Sequence, residues 1–154
     1  MKLHRHTWDI YTDGGSRKKT GKRLFKGEKC SSSNMNTASG VVWIKDGEMV
    51  RNKGFLNRNL WTNNQAELEA IRLALVPLMQ NRSKDTVRIY TDSEYCINVL
   101  TNGRKLQVNA AQVSELRVLL TLFTDLEFVK VKGHSGLEYN EMADCLATAA
   151  LKLA

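Results

Sequence analysis

The sequence predicts an α/β fold: a central five-stranded mixed sheet, three antiparallel strands followed by parallel ones, flanked by helices. Three observations predict it. The N-terminal part holds three runs rich in β-branched and aromatic residues, two of them joined through Asp46-Gly47, a pair that favours a tight hairpin. The remainder alternates strand-like and helix-like segments, as crossover connections between parallel strands require. Between the two parts, Thr62 and Gln65 have the spacing of a capping box.

Each element follows from its residues. TWDIYTD, residues 7–13, alternates polar and apolar side chains before Gly14-Gly15-Ser16, which predicts a first strand ending at Asp13. Residues 17–37 are polar, basic and serine-rich without a hydrophobic period and read as a long loop. ASGVVWIKDGEMVRNKGFL, residues 38–56, supplies the antiparallel second and third strands. A helix starts near Thr62, with Ala66, Ala70, Leu73 and Ala74 at helical spacing, and Pro77 ends or kinks it near Leu75 or Val76. TVRIYTD, residues 86–92, is a fourth strand buried on at least one face. A short helix follows in SEYCINVLTNG, stopped by Asn102 and Gly103, and an amphipathic helix in AAQVSELRVLLTLF. LEFVKVKG alternates as the fifth strand. A last helix runs from about Glu138 to the end, with Ala143, Leu146, Ala147, Ala150 and Leu151 toward the core. No internal repeat or linker divides the chain, so residues 1–154 read as one domain.

Composition bounds the function. A chain of 154 residues with 42% hydrophobic and 25% charged residues can build one sizeable core. Its formal charge of +7 favours polyanionic partners. No apolar run has bilayer-spanning length and MKLHRHTWD lacks the apolar core of a secretory signal, so a cytoplasmic protein is expected, nuclear or organellar in a eukaryote. Cys30, Cys96 and Cys145 are odd in number, far apart and outside any CxxC, which argues against a disulfide framework or a zinc module. His4 and His6 read as solvated terminal histidines.

Four acidic residues fall at comparable places: Asp13 closing strand one, Glu67 one turn into the first helix, Asp92 closing strand four and Asp144 in the last helix. With the central strands parallel neighbours, Asp13 and Asp92 end side by side, and the two helical carboxylates lean over that end of the sheet. Four clustered carboxylates repel one another and gain proton affinity unless a cation compensates. Oxygen-only ligands suit Mg2+, with Mn2+ able to substitute. A pair of such ions roughly 4 Å apart serves in-line phosphodiester displacement.

YTDGGS, TNNQAELEA, YTDSEYCINVL and VKVKGHSGLEYNEMADCLA, in this order, resemble the signatures of the ribonuclease H family, type 1 class, from Trp8 to Leu151. The resemblance implies a ribonuclease H-like fold and metal-binding carboxylates at Asp13, Glu67, Asp92 and Asp144. It implies a mobile catalytic histidine at His134 of GHSG. It also implies a Mg2+-dependent endonuclease that uses two ions to cut the RNA strand of an RNA/DNA hybrid, leaving 5′-phosphate and 3′-hydroxyl ends without reading sequence. The residues suit these roles. Gly133 and Ser135-Gly136 give the His134 loop freedom, and an imidazole titrating near neutrality can shuttle a proton. Asn63 and Asn64 open the first helix, where amides can reach the minor groove and its 2′-hydroxyls. Gly14, Ser93 and Asn140, beside the carboxylates, are further substrate-contact candidates. A non-catalytic nucleic-acid-binding module would be expected to lose acidic ligands, whereas all four positions are acidic.

The main departure from the family is RKKTGKRLFKGEK, residues 17–29, within a basic insertion at about 17–36. Seven Lys or Arg against one Glu give it +6 of the chain's +7. The region after the short helix, where some members carry a basic protrusion, offers only Arg104 and Lys105. Arg17, Lys18, Lys19, Lys22 and Arg23 are therefore expected to grip duplex phosphates in its place. No obligatory protein partner is expected, and the protein reads as a monomer.

Overall fold

Asp46 and Gly47 both have positive φ, 50° and 87°, the backbone that a two-residue hairpin needs to match the twist of its strands. They join β2 (Met35–Lys45) to β3 (Glu48–Asn57) in a computed structural model that describes residues 5–18, 35–57, 62–81, 84–102, 108–132 and 138–153. The Asp46 carboxylate also accepts the Thr7 amide at 2.9 Å and holds His6 Nδ1 at 2.7 Å. His6 is thus tied to the hairpin, where the sequence suggested a solvated residue. His4, His134 and the basic residues Lys19, Lys22 and Arg23 lie outside the described residues.

β1 (Thr7–Lys18) is the middle strand of a five-stranded sheet ordered β3-β2-β1-β4-β5, with β4 at Thr86–Thr91 and β5 at Asp125–Lys130. β1 pairs antiparallel with β2 and parallel with β4, and β4 pairs parallel with β5. The mixed sheet expected from the sequence is present.

β1 does not end at Asp13. Its ladder with β2 continues from Asp13↔Gly40 to Lys18↔Met35, so Arg17, Lys18 and residues 35–37 are strand rather than loop. Gly14 and Gly15 look like a turn in the sequence because both lack side chains. Their purpose is close packing on both faces: a Cβ on Gly14 would run into the Glu67 backbone, and one on Gly15 would touch Leu151.

Among the described residues there are four α-helices, α1 (Asn63–Leu75), α2 (Glu94–Thr101), α3 (Ala110–Thr121) and α4 (Glu138–Leu151); α1 and α4 lie on the sheet, α2 touches β5, and α3 packs on α1 and α2. Thr62 caps α1 as a full capping box, Thr62 Oγ1 accepting the Gln65 amide while Gln65 Oε1 accepts the Thr62 amide. The helix stops at Leu75, and Pro77 lies in the 3-10 turn Val76–Asn81 that follows.

Ile10, Val41, Trp43, Leu68, Ile71 and Ile89 form the main core between the sheet and α1. The Trp43 indole N–H, buried there, donates to the Ala74 carbonyl at 3.0 Å, so this buried donor has its acceptor. On the opposite face, α4 lies across β1, β2 and β3. It approaches so closely that a Cβ on Gly40 would overlap the Ala143 carbonyl oxygen and one on Gly54 the Leu146 carbonyl oxygen. Small residues on both sides, Ala38 against Ala147 and Ala150, keep that distance short.

Candidate active site

The parallel ladder between β1 and β4 decides what meets at the sheet's carboxyl end. Ile10 pairs with Ile89 and Tyr11 with Tyr90, and the sequence reads Ile-Tyr-Thr-Asp in both strands. The same offset continued sets Thr12 beside Thr91 and Asp13 beside Asp92. This four-residue echo is visible in the sequence alone, but only the strand register gives it meaning. Ile10 and Ile89 are core residues, Thr12 and Thr91 are buried, and Tyr11 and Tyr90 stack with ring centroids 4.4 Å apart.

Asp13, Glu67 and Asp92 each offer a carboxylate oxygen, and these oxygens lie within 4.8 Å of one another. Asp13 and Glu67 are buried and Asp92 is half-buried. Glu67 reaches the cluster from α1, and its Oε1 accepts the backbone N–H of Gly14. Asp144, from α4 on the other face, shares a side-chain hydrogen bond with Asp13. The structure thus brings together all four carboxylates that the sequence singled out.

Burial, followed by the charges of Glu67 and Asp92, holds the Asp13 carboxyl well above the usual carboxylate range. Burial and the charge of Asp92 push Glu67 up to about 8, against the opposing pull of its hydrogen bonds with Asp13 and Gly14. Among the described residues, no Lys, Arg or His pairs with Asp13, Glu67 or Asp92. An oxygen-only, buried and mutually repelling donor set of this kind fits a hard divalent cation, which would supply the missing positive charge.

The other predicted residues divide into three groups. Asn63 and Asn64 are the first two residues of α1, one turn before Glu67, and Asn140 is buried on α4 one turn before Asp144. Gly14 supplies the amide that Glu67 uses, and the Ser93 hydroxyl caps α2 by accepting the Cys96 amide at 3.2 Å. Arg17 and Lys18 belong to β1 by their backbone. Sequence reasoning missed Tyr11, Tyr90 and Tyr139. Tyr139, from α4, leans on Tyr11 at 5.6 Å.

Comparison with known proteins agrees with this geometry. The RNase H family model matches residues 5–152. The ribonuclease H of Rippkaea orientalis is 31% identical over 92% of this chain and 83% of its own length. That of Desulforamulus reducens is 32% identical over 93% and 86%. RNase H1 from Halobacterium salinarum superposes with a TM-score of 0.69 at 28% identity, covering 96% of this chain and 99% of its own. LC11-RNase H1 in complex with an RNA/DNA hybrid shares the fold, with a TM-score of 0.70 at 23% identity over 95% and 97% of the two chains. A family match along nearly the whole chain, joined to relatives above 30% identity over most of it, shows that the chain belongs to the ribonuclease H family, type 1 class, and is an enzyme, a hydrolase, of that family.

Proposed function

We propose that the protein is a Mg2+-dependent endonuclease that hydrolyses the RNA strand of RNA/DNA hybrids, leaving 5′-phosphate and 3′-hydroxyl ends without sequence specificity. The convergence of Asp13, Glu67 and Asp92 within 4.8 Å is the observation that carries this reading. The hybrid complex of LC11-RNase H1, which has the same fold, supports the choice of substrate.

In this reading Asp13, Glu67, Asp92 and Asp144 hold two Mg2+ ions, which when bound activate the attacking water and stabilise the leaving oxygen. The chain's own residues do the rest. Asp13 is central, since it touches both Glu67 and Asp144 and its buried oxygens are shared within the site. Asn63 and Asn64 contact 2′-hydroxyls in the minor groove, the groups that separate RNA from DNA. Gly14, Ser93 and Asn140 line the approach of the strand to be cut. His134 moves a proton and helps the product leave.

The test is incubation of labelled RNA/DNA, double-stranded RNA and double-stranded DNA with Mg2+ or EDTA, alongside Asp92→Asn and His134→Ala. Only the RNA of the hybrid is expected to be cut, the cutting to vanish with EDTA and in Asp92→Asn, and His134→Ala to turn over slowly while still binding hybrid. EDTA-resistant or double-stranded-DNA cleavage overturns the assignment.

The basic stretch after β1 is proposed to grip the duplex. Because Arg17 and Lys18 carry β1 backbone, the informative deletion is residues 19–29, which leaves the Lys18↔Met35 pair in place. Counterion release predicts that the slope of log affinity against log salt falls by at least about two units. An unchanged slope removes the gripping role and leaves the nuclease assignment standing.

A further inference from the structure

We propose that Tyr11, Tyr90 and Tyr139 are positioning residues: their rings fix the spacing of the three elements that carry Asp13, Asp92 and Asp144, and so set the divalent-ion affinity and selectivity of the carboxylate cluster. The inference rests on the reading of that cluster as an ion centre and concerns residues outside it.

Tyr11 and Tyr90 face each other in the final pair of the β1–β4 ladder. Their rings are stacked nearly parallel, 4.4 Å between centroids and 9° between planes. Side chains alternate along a strand, so Asp13 and Asp92, two residues further on, project on the same face as the rings. The backbone ladder between the two strands stops at the tyrosines, and the carboxylates stand just beyond it. The stack is therefore the last side-chain rung beneath the Asp13–Asp92 pair.

Two further contacts hold the rung. The Tyr90 hydroxyl donates to Asp9 Oδ1 at 2.9 Å, and Arg88 Nε lies 3.3 Å from the same oxygen. Tyr139 of α4 tilts against Tyr11 at 46° with 5.6 Å between centroids. α4 packs chiefly on β1, β2 and β3, so on this face β4 is tied to β1 by the Tyr11–Tyr90 stack together with the Asp9 contacts of Tyr90 and Arg88. Three rings thus join β1, β4 and α4, the elements that deliver three of the four carboxylates. The repeated Ile-Tyr-Thr-Asp gives both central strands the same layering, with apolar core, ring, buried hydroxyl and ligand in that order.

The physical consequence is selectivity. Mg2+ demands near-ideal octahedral geometry at about 2.0–2.1 Å, whereas Ca2+ accepts six to eight oxygens in looser arrangements at about 2.3–2.6 Å. A site whose oxygens drift by a few tenths of an ångström penalises Mg2+ first. Loss of the groups that orient metal ligands costs about 10–100-fold in metal affinity.

The experiment is calorimetric titration of Mg2+ and of Ca2+ into substrate-free wild type, Tyr90→Leu, Tyr90→Phe, Tyr139→Leu and Asp13→Asn. We expect Tyr90→Leu and Tyr139→Leu to weaken Mg2+ binding about tenfold and Ca2+ binding by less than about threefold. Tyr90→Phe, which keeps the stack, is expected to stay within about threefold of wild type for both ions. In cleavage assays the half-activating Mg2+ concentration rises in the leucine variants while KM for hybrid holds. Mg2+ binding that survives Asp13→Asn overturns the ion-centre reading itself. Leucine variants that bind Mg2+ as wild type does overturn the positioning role alone. Tyr139→Leu, at a half-buried ring on α4, decides the matter should Tyr90→Leu not fold.

Discussion

Asp13→Asn is expected to abolish hybrid cleavage and, in chelator, to raise the melting temperature of the protein. Both follow from one arrangement. Asp13 sits buried among Glu67, Asp92 and Asp144, so its charge serves the proposed ion binding and harms the ion-free fold. In the unfolded chain, Asp and Glu carboxyls release their protons near pH 4. In the folded chain burial and like charge delay that release, for Glu67 to about 8. Across that window the native state binds more protons than the unfolded state, so stability falls as pH rises and is fully retained only below the unfolded value. An asparagine removes the charge but keeps the shape. We expect a relief of about 2 kcal/mol at neutral pH, hence a gain of about 4–8 °C, shrinking toward pH 4. Differential scanning calorimetry with EDTA at several pH values measures it. A variant that melts at or below wild type at pH 8 would show that the carboxylates are not crowded in solution. Added Mg2+ should stabilise wild type and leave Asp13→Asn nearly unmoved.

Gly40→Ala is expected to be among the most damaging single methyl additions in the chain. The new Cβ would overlap the Ala143 carbonyl oxygen, which is helix backbone and cannot rotate aside as a side chain can. α4 must lift off β2, opening the contacts of Ala38, Ala147 and Leu151 and displacing Asp144. Overpacking of this kind costs about 3 kcal/mol, which lowers the melting temperature by about 6–12 °C. Activity should fall further than the melting curve alone explains, because α4 carries Asp144 and Asn140. Gly47→Ala is the control: its Cβ meets open space, and its φ of 87° alone predicts a loss of about 1 kcal/mol with cleavage per folded molecule unchanged. If Gly40→Ala melts with Gly47→Ala, the close approach of α4 is not real.

The parts of this fold that were legible in the sequence are those with local chemistry. Asp46-Gly47 announced its turn because only a few residue pairs tolerate two positive φ values, and Thr62 with Gln65 announced a helix start because each supplies what the other lacks. The four carboxylates were legible as a spaced set, since each follows a recognisable strand or sits in a recognisable helix. What escaped were features that exist only between elements. Gly14 and Gly40 read as a turn and an ordinary strand residue until α1 and α4 are laid on them. The Tyr11–Tyr90 stack requires the β1–β4 register, which periodicity within one strand does not contain. β1 overran its expected end for the same reason, because its partner past Asp13 is β2 alone.

The pairing of Lys18 with Met35 pins both ends of residues 19–34 a strand's width apart. A segment closed in this way can lengthen cheaply, at about 0.6 kcal/mol for each doubling. Evolution could therefore graft cationic sequence at this spot, trim it or replace it without moving any acidic side chain. If the proposed gripping role of this stretch holds, substrate grip and bond cleavage are in that sense separately heritable traits of one small enzyme.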